Sequence, residues 1–434
     1  MTRVEWAEVS DPGESLRTIE ARRRAPTILI ALALTNLVAY AMRNELFSVY
    51  PELRARFDLR DAKLGLLTTI FLLPHALATL PFGWAGDRFD RRRVIAGGMI
   101  LASIASALGG LASSVVTFSI SRGFVGLGTA AVVPVANSIL GQLYEGPAKA
   151  SRMAIFNLGL LFGGAVGFLT GEMLGFPGVV YALAVPGVLL AVVILALPAP
   201  RHPGQLPGSR PKQRGNFGSL VRGFIGEARQ LLRIRTLRWL MLSTTTMAFA
   251  AGGYTSWLVD FLERDKGMSP KRATNLLIIT MFGAVAGILV GGRLADRLRK
   301  KMPAGRLVVI AIGMVCTIPA AVLALQAPAG PVLYAAGIAT MFFISWYHAP
   351  MAVSVDDLAP PERTVAAQGL VIFTMHLIGT APSSWVVGIV SQETSLYTAM
   401  WVPTGALVIA SLAMFAAIPG FAGDHARARS GMGR

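Results

Sequence analysis

Charge is what this sequence has least of. Only 15% of its 434 residues are Asp, Glu, Lys or Arg, against about a quarter in soluble domains, and that deficit excludes a water-soluble globule. There is one cysteine, Cys316, and a single thiol forms neither an internal disulfide nor a Cys-based metal cage. No metal-ligand cluster, nucleophile elbow or phosphate loop appears either. A non-enzyme is therefore expected, with no catalytic residues, no metal and no cofactor. Acids are scarcer than bases, 23 against 40, for a net charge of +17. A nucleic-acid reader would carry that excess as a basic face on a soluble fold. Here it falls in short segments between apolar runs, which excludes nucleic acid and suits anionic lipid headgroups.

Apolar residues are what the chain has in plenty. They make up 54% of it, and the mean hydropathy is +0.58. A bilayer core asks for about 20 apolar residues per helix. Twelve runs qualify, at about 27–48, 62–84, 94–112, 115–142, 152–174, 179–198, 238–262, 271–295, 306–326, 331–355, 365–390 and 396–419. Turn chemistry separates the nearly fused ones: GGLASS (109–114), GFPG (175–178), QAPAGP (326–331) and QETS (392–395). The first run follows a polar arm of about 25 residues and lacks a small-residue cleavage site, so it is expected to remain as a helix. An all-α membrane protein of twelve spans is the expected fold.

Lys and Arg orient it. With the N-terminus in the cytoplasm, 30 of the 40 basic residues fall on the cytoplasmic side and 8 on the other, with Arg43 and Arg122 inside spans. Such a bias places both termini in the cytoplasm of a cell whose inner membrane holds the chain. The divisions are an arm (1–26), a six-helix bundle (27–198), a linker (199–236), a second six-helix bundle (237–419) and a tail (420–434). The linker begins Pro/Gly-rich and basic. Its second half sets Phe217, Leu220, Val221, Phe224, Ile225, Ala228, Leu231 and Leu232 at helical spacing, with Arg222, Arg229 and Arg233 between them. That pattern suits an amphipathic helix on the inner leaflet, in contact with anionic headgroups.

The chain repeats itself. GWAGDRFDRRR (83–93) and GGRLADRLRKK (291–301) align at an offset of 209, placing Asp87 on Asp296, Arg88 on Arg297 and Arg91-Arg92 on Lys300-Lys301. Each knot follows the second span of a six-span half, so the chain is a tandem repeat. A G-x-x-x-D-R-x-x-R-[RK] knot after the second span, echoed after the eighth, resembles the signature of the major facilitator superfamily over residues 27 to 419. Asp90 departs from it, standing where that family often has Gly. The resemblance implies two pseudo-symmetric six-helix bundles with a site between them, working by alternating access. It further implies a conformational lock on the cytoplasmic side, here Asp87, Arg88, Arg91 and Arg92 with Asp296, Arg297 and Lys300 as weaker copies. An alternative is that these charges only set topology.

Glycines recur every four residues at Gly159, Gly163, Gly167 and Gly171 in the fifth span and at Gly283, Gly287 and Gly291 in the eighth. Such stripes let another helix approach closely; the resemblance places the two spans against each other. Ionisable groups inside spans are costly and mark function by default. Glu172 and Asp260 lie near helix ends, where snorkelling accounts for them. Arg43 and Arg122 lie deeper, at comparable depth in one half. Two planar guanidinium forks with few acids nearby suit a cavity for an anionic group. Pairing with Glu45 is the alternative for Arg43, and pairing with backbone carbonyls for Arg122.

YAMRNELFSVYPEL (40–53), RGFVGLGTAAVVPVA (122–136) and TIFLLPHALATLPFGWAGDR (69–88) further resemble the spinster branch of that superfamily, which moves lysophospholipids and sphingoid phosphates. That branch carries an Asp-Arg pair in helix 1 and R-G-x-x-G-x-G-E in helix 4. Arg43 and Arg122 are kept; the Asp is Met42 and the Glu is Thr129. Proton coupling at those two positions is not implied, and Glu45, His75, His348 or His376 are the titratable substitutes. Substrate contacts are expected from Arg43, Arg122, Tyr40 and His75 in one half and Tyr254, Trp257, Trp346 and His348 in the other, aromatics with polar tips suiting an amphiphile. The expectation is a monomeric secondary transporter of a lipid-like or small organic anion. A proton-coupled exporter of drugs or small metabolites, and a non-transporting membrane sensor, stay open beside it.

Overall fold

The computed structural model describes residues 16–144, 146–198, 217–360 and 363–430, and among these it contains helix and no strand. α1 (Leu16–Arg23) leads into α2 (Ala25–Asn44), which has Pro26 in its first turn, where a missing N–H leaves no bond unmade. α3 (Tyr50–Phe57) is short and ends at Asp58, whose φ of 49° is left-handed. α4 (Asp61–Arg88), α5 (Arg91–Gly110), α6 (Val115–Thr129), α7 (Val132–Leu143) and α8 (Gly146–Ala196) complete the first half. Ser114 and Thr117 form a capping box at the start of α6. α6 and α7 make one crossing between them. α8 makes two, because Gly175 (φ 57°) and Phe176 leave helical geometry. The Glu52 carboxylate accepts the Phe176 amide at that break.

α9 (Phe217–Leu231) precedes the second half. That half consists of α10 (Arg235–Arg264), α11 (Pro270–Arg299), α12 (Gly305–Gln326), α13 (Pro331–Ile344), α14 (His348–Leu358), α15 (Thr364–Thr374), α16 (Ala381–Glu393), α17 (Leu396–Ala399) and α18 (Trp401–Ala417), with α19 (Phe421–Ser430) after it. A 3-10 turn at Ser345–Tyr347 joins α13 to α14 within one crossing, and a π-helical turn at Met375–Thr380 joins α15 to α16. The first half of the linker and the ends of the chain, 1–15 and 431–434, lie outside the described residues.

Twelve crossings result among the described residues. Ten stretches are long and apolar enough to cross a membrane, and the one in α8 crosses twice. α10 supplies the twelfth: its 30 residues reach about 45 Å, but Ser243, Thr244, Thr245 and Thr246 dilute its apolar character. Ser243 donates to the Ala410 carbonyl, and Thr244 and Thr246 donate back to Leu240 and Leu242. Leu108, Leu189 and Leu412, all exposed, belong to the lipid-facing surface such a bundle needs. An even number of crossings leaves both termini on one face, the terminal face; the opposite face is the distal one.

The glycine stripes do not form a seam between the halves. A Cβ at Gly163 or Gly167 would lie 2.4 or 2.5 Å from the carbonyl oxygens of Leu37 and Ala41, so α8 uses its stripe to pack on α2 within its own half. Gly283, Gly287 and Gly291 likewise face Ile338, Phe342 and Trp346, within the second half. α8 and α11 do meet, but elsewhere: Gly164 faces the Met281 methyl at 3.6 Å. Spacing revealed close neighbours but not which ones.

Candidate substrate site and distal latch

The halves are joined at the distal face. Arg54, on α3, donates to Asp61 Oδ1 at 2.9 Å and to Asp260 Oδ2 at 2.9 Å. Arg264 crosses the other way to Asp61 Oδ2 at 2.9 Å and also holds Asp260 at 3.1 Å. Ser391 donates to Asp61 Oδ2 at 2.6 Å. Two carboxylates and two guanidiniums thus alternate across the gap. Asp260 is 1% exposed and held by two arginines, so it does not snorkel to water, as its place near a helix end suggested.

Beneath the latch the backbones touch. A Cβ at Gly65 would lie 2.2 Å from Ser384 O, and one at Gly388 would lie 2.5 Å from Asp61 O. Thr69 donates to Ala381 O at 2.6 Å and Trp257 Nε1 to Ser384 O at 2.9 Å. Trp257 is fully buried and packs on Tyr50, ring centroids 5.1 Å apart. It closes the distal seam and does not line a cavity.

Deeper in the bundle, α2 presents Tyr40 and Arg43 one turn apart, on one side of the helix. Arg43 is half-buried and lies over the Tyr40 ring at 5.6 Å; among the described residues no carboxylate pairs with it. Glu45 is taken elsewhere. Its Oε1 accepts Arg122 Nη1 at 2.6 Å, while Arg122 Nη2 donates to Met42 O at 3.1 Å and the guanidinium covers the Phe71 ring at 4.9 Å. Arg122 is 2% exposed and Glu45 is fully buried. Arg122 therefore does not face a ligand in this state, contrary to the sequence expectation; a counter-ion and a carbonyl occupy it. The site retains one of the two expected cations.

Two imidazoles accompany Arg43, which is an electrostatic neighbour of both His75 and His376. His75 Nδ1 lies 3.2 Å from Gly126 O and 3.1 Å from Thr129 Oγ1, and its ring stacks on Phe71. A carbonyl only accepts, so Nδ1 carries a proton, and in the neutral ring Nε2 keeps a lone pair. His376 sits in the π-helical turn, half-buried, with no partner for Nδ1 among the described residues. Such turns are frequent at functional sites, because the extra residue re-aims side chains. Across the space, Tyr347 is an electrostatic neighbour of Tyr40. His348 packs against Tyr347, with ring centroids 4.1 Å apart and planes tilted by 35°, and is exposed although surrounded by protein, so it lines internal space.

Two further expected contacts are not there. The Tyr254 hydroxyl is spent on Thr404, and the residue is buried. Trp346 packs between Phe342 and Phe343 and is 8% exposed. Both hold the second half together. Tyr347, which the sequence groups with Trp346 in the run FFISWYHAPM, takes their place near Tyr40; nothing in its local pattern sets it apart from Trp346.

Among the described residues, the contacts seen for the charged knots lie within their own halves. Arg91 donates to Gln142 Oε1 at 2.7 Å and to Gly86 O at 3.3 Å. Asp90 caps α5 through the Arg92 amide, and Arg92 bonds both Asp90 oxygens and the Leu195 and Leu197 carbonyls. The Arg92 hydrogen bond holds the Asp90 carboxyl below the usual carboxylate range. Arg306 pairs with Asp357 at 2.7 Å and reaches Asp296 only at 3.8 Å. The Asp87 side chain lies outside the described residues; no contact from Arg297 or Lys300 to the first half is seen among them.

Comparison with known proteins agrees with this architecture. The sequence profile of the Major Facilitator Superfamily matches residues 32–384 and 261–430. Protein spinster homolog 3 of Danio rerio is 27% identical over 418 residues, covering 89% of this chain and 81% of that protein. Sphingosine-1-phosphate transporter SPNS2 of Xenopus tropicalis is 25% identical over 414 residues, covering 85% and 75%. Among solved structures, a bacterial homolog to human lysosomal transporter Spinster, inward-facing and unoccupied, superposes with a TM-score of 0.78 at 22% identity, over 92% of this chain and 98% of that one. Nucleoside transporter NupG gives 0.71 at 14% identity, over 90% and 98%. Twelve crossings in two halves, a charged knot repeated in each, and relatives that include a named transporter place this chain in the major facilitator superfamily, where the relatives it is similar to are spinster homologs.

Proposed function

We propose that this protein is a secondary transporter of a lipid-like anion and that Arg43 holds the anion's charged group, with Tyr40, His75 and His376 around it and Tyr347 and His348 opposite. The observation that carries this reading is the unmatched charge of Arg43. A cation inside the hydrocarbon layer is costly, and no acid among the described residues offsets it, so an anionic ligand supplies what the fold withholds. Aromatic rings with polar tips beside it suit an amphiphile. The relatives' names, sphingosine-1-phosphate transporter among them, support the same class.

The terminal face is cytoplasmic in this reading, from the Lys and Arg bias, in an inner membrane, and the protein works as a monomer. With the distal latch shut, substrate meets the site from the terminal side. When the latch parts, the knots of Asp87, Arg88, Arg91 and Arg92 and of Asp296, Arg297 and Lys300 close that side. Glu45 is committed to Arg122, which leaves His75 and His376 as the groups that would carry a coupled proton. Those imidazoles also favour a second reading, proton-coupled export of a small metabolite.

Ligand-induced stabilisation of the purified protein tests the site. An anionic lysolipid that binds only the folded state stabilises it by about 2.7 kcal/mol at a hundred times its dissociation constant. It should raise the melting midpoint of the wild type and leave that of Arg43→Gln unmoved, whereas a zwitterionic lysolipid should move neither. Equal responses of the two proteins would refute the role of Arg43. Uptake of the responding lipid into vesicles, with and without a pH gradient, separates the two readings.

A further inference from the structure

α9 carries more charge than a connector needs. Arg222, Arg229 and Arg233, then Arg235 and Arg238 in the first turn of α10, are all exposed, and none has a partner among the described residues. From 217 to 238 the only acid is Glu227. At about 100° per residue, Arg222 and Arg229 fall within about 20° of one another, and Arg233 follows in the turn that ends the helix. Ile225 and Leu232, exposed at 45% and 39%, lie just round the helix from that stripe. Phe224, Ala228 and Leu231, one step further, face the protein, with Leu231 buried and the Phe224 ring 6.0 Å from that of Phe373. Protein, apolar solvent and charge therefore follow in order around one short helix. A helix facing only water has no use for the middle stripe; one lying at a bilayer surface needs all three.

Its position adds a second observation. α9 packs on α15 in the second half and also touches α4 in the first, so it straddles the halves, while the ion pairs that join them directly are at the distal face. Just beyond it, Arg235, Trp239, Pro419 and Gly420 line a cleft of about 270 Å³, placing a guanidinium and an indole one turn apart at the terminal end of α10.

We propose that α9 is a docking helix for anionic phospholipid headgroups, and that lipid held there sets how far α4 and α15 separate on the terminal side. The exposed positive charges attract the phosphate groups, while Ile225 and Leu232 enter the acyl region beside them. Free phosphate would engage the arginines but gain nothing from the apolar stripe. Because α9 touches both halves, lipid that binds one separation better than another must shift the balance between them.

The test uses the full chain with Arg222→Gln, Arg229→Gln and Arg233→Gln combined, and a matching Arg→Lys triple as the charge-retaining control. Phosphatidylglycerol, phosphatidylcholine or inorganic phosphate is titrated into detergent-purified protein and the melting midpoint followed. Phosphatidylglycerol alone should stabilise the wild type. Each arginine at an anionic surface contributes about fivefold, so the Gln triple should need on the order of a hundredfold more lipid, and the Lys triple little more than wild type. In nanodiscs, spin labels at Phe89→Cys and Ile372→Cys, in a Cys316→Ser background, should report a distance distribution that shifts with phosphatidylglycerol in the wild type and stays fixed in the Gln triple. An equal response to phosphatidylcholine or phosphate, or an unimpaired Gln triple, overturns the docking site. Selective lipid binding with an unchanged distance overturns the control of separation. Neither readout involves the transported substrate, so failure here leaves the role of Arg43 standing, and the reverse.

Discussion

Removing one member of the Glu45–Arg122 pair should destabilise the protein far more than removing both. The charges lie about 4 Å apart in a buried site, and at an effective dielectric of about 20 they attract by about 4 kcal/mol. Against that stands a desolvation cost of several kcal/mol for each ion. The pair as a whole is therefore close to balanced, while either charge alone is stranded. Glu45→Leu leaves a guanidinium with only the Met42 carbonyl and the Phe71 ring for company. Arg122→Met leaves a carboxylate that is fully buried and already has one oxygen without a partner. Each single variant should lose about 3–5 kcal/mol, and the Glu45→Leu/Arg122→Met double variant should recover most of it. Denaturant unfolding in one detergent measures all four proteins as a double-mutant cycle. The response to anionic lysolipid should survive in the double variant, since Arg43 is untouched. If Arg122→Met were as stable as wild type but blind to the lipid, Arg122 would be a ligand and the pair incidental.

The latch makes a separate set of predictions. Gly65→Ala drives a methyl into the Ser384 carbonyl, so the distal faces should part, and a cysteine placed at Thr69 should react with a polar maleimide at least tenfold faster; unchanged labelling would mean the seam yields elsewhere. Asp61→Asn weakens bonds from Arg54 and Arg264 together and should expose the same position, with a smaller effect from Ser391→Ala, which removes one hydrogen bond to the carboxylate worth about 1.5–3 kcal/mol. Asp90→Asn keeps a cap for α5 but loses the charge facing Arg92, at a cost of about 0.5–1 kcal/mol for this half-exposed pair. The Asp90 carboxyl is held below its usual range when folded, so its contribution is complete above about pH 4 and is lost as pH falls through the folded value; wild type and Asp90→Asn should converge in stability on acidification.

Much of the architecture could be read from local pattern, because a bilayer imposes its length on every crossing and turn residues punctuate them. The repeated knot was equally plain, since 209 residues separate two copies of one local motif. What escaped was choice among partners. Arg54 and Asp260 are 206 residues apart, and nothing near either announces the other. The stripe at Gly159, Gly163, Gly167 and Gly171 announced a close helix but equally suited α2 and α11. Trp257, Trp346 and Tyr347 look alike as aromatics with polar tips, and only packing assigns two to the protein interior and one to the cavity. Arg43 and Arg122 are two arginines at similar depth. Their difference lies in Glu45, which stands two residues from Arg43 and so points to another side of α2, towards α6.

The placement of Glu45 has a consequence for how such proteins diverge. Arg122 is held by Glu45 and by the backbone of Met42, positions three residues and about 4.5 Å apart on α2. A long, forked cation can be matched from either of two successive turns, so its counter-ion can migrate along the helix without the pair ever being lost. With the acid at position 45, position 42 is free to be an apolar, buried methionine. An arginine of this reach therefore needs an acid on one of two neighbouring turns rather than at a single fixed position.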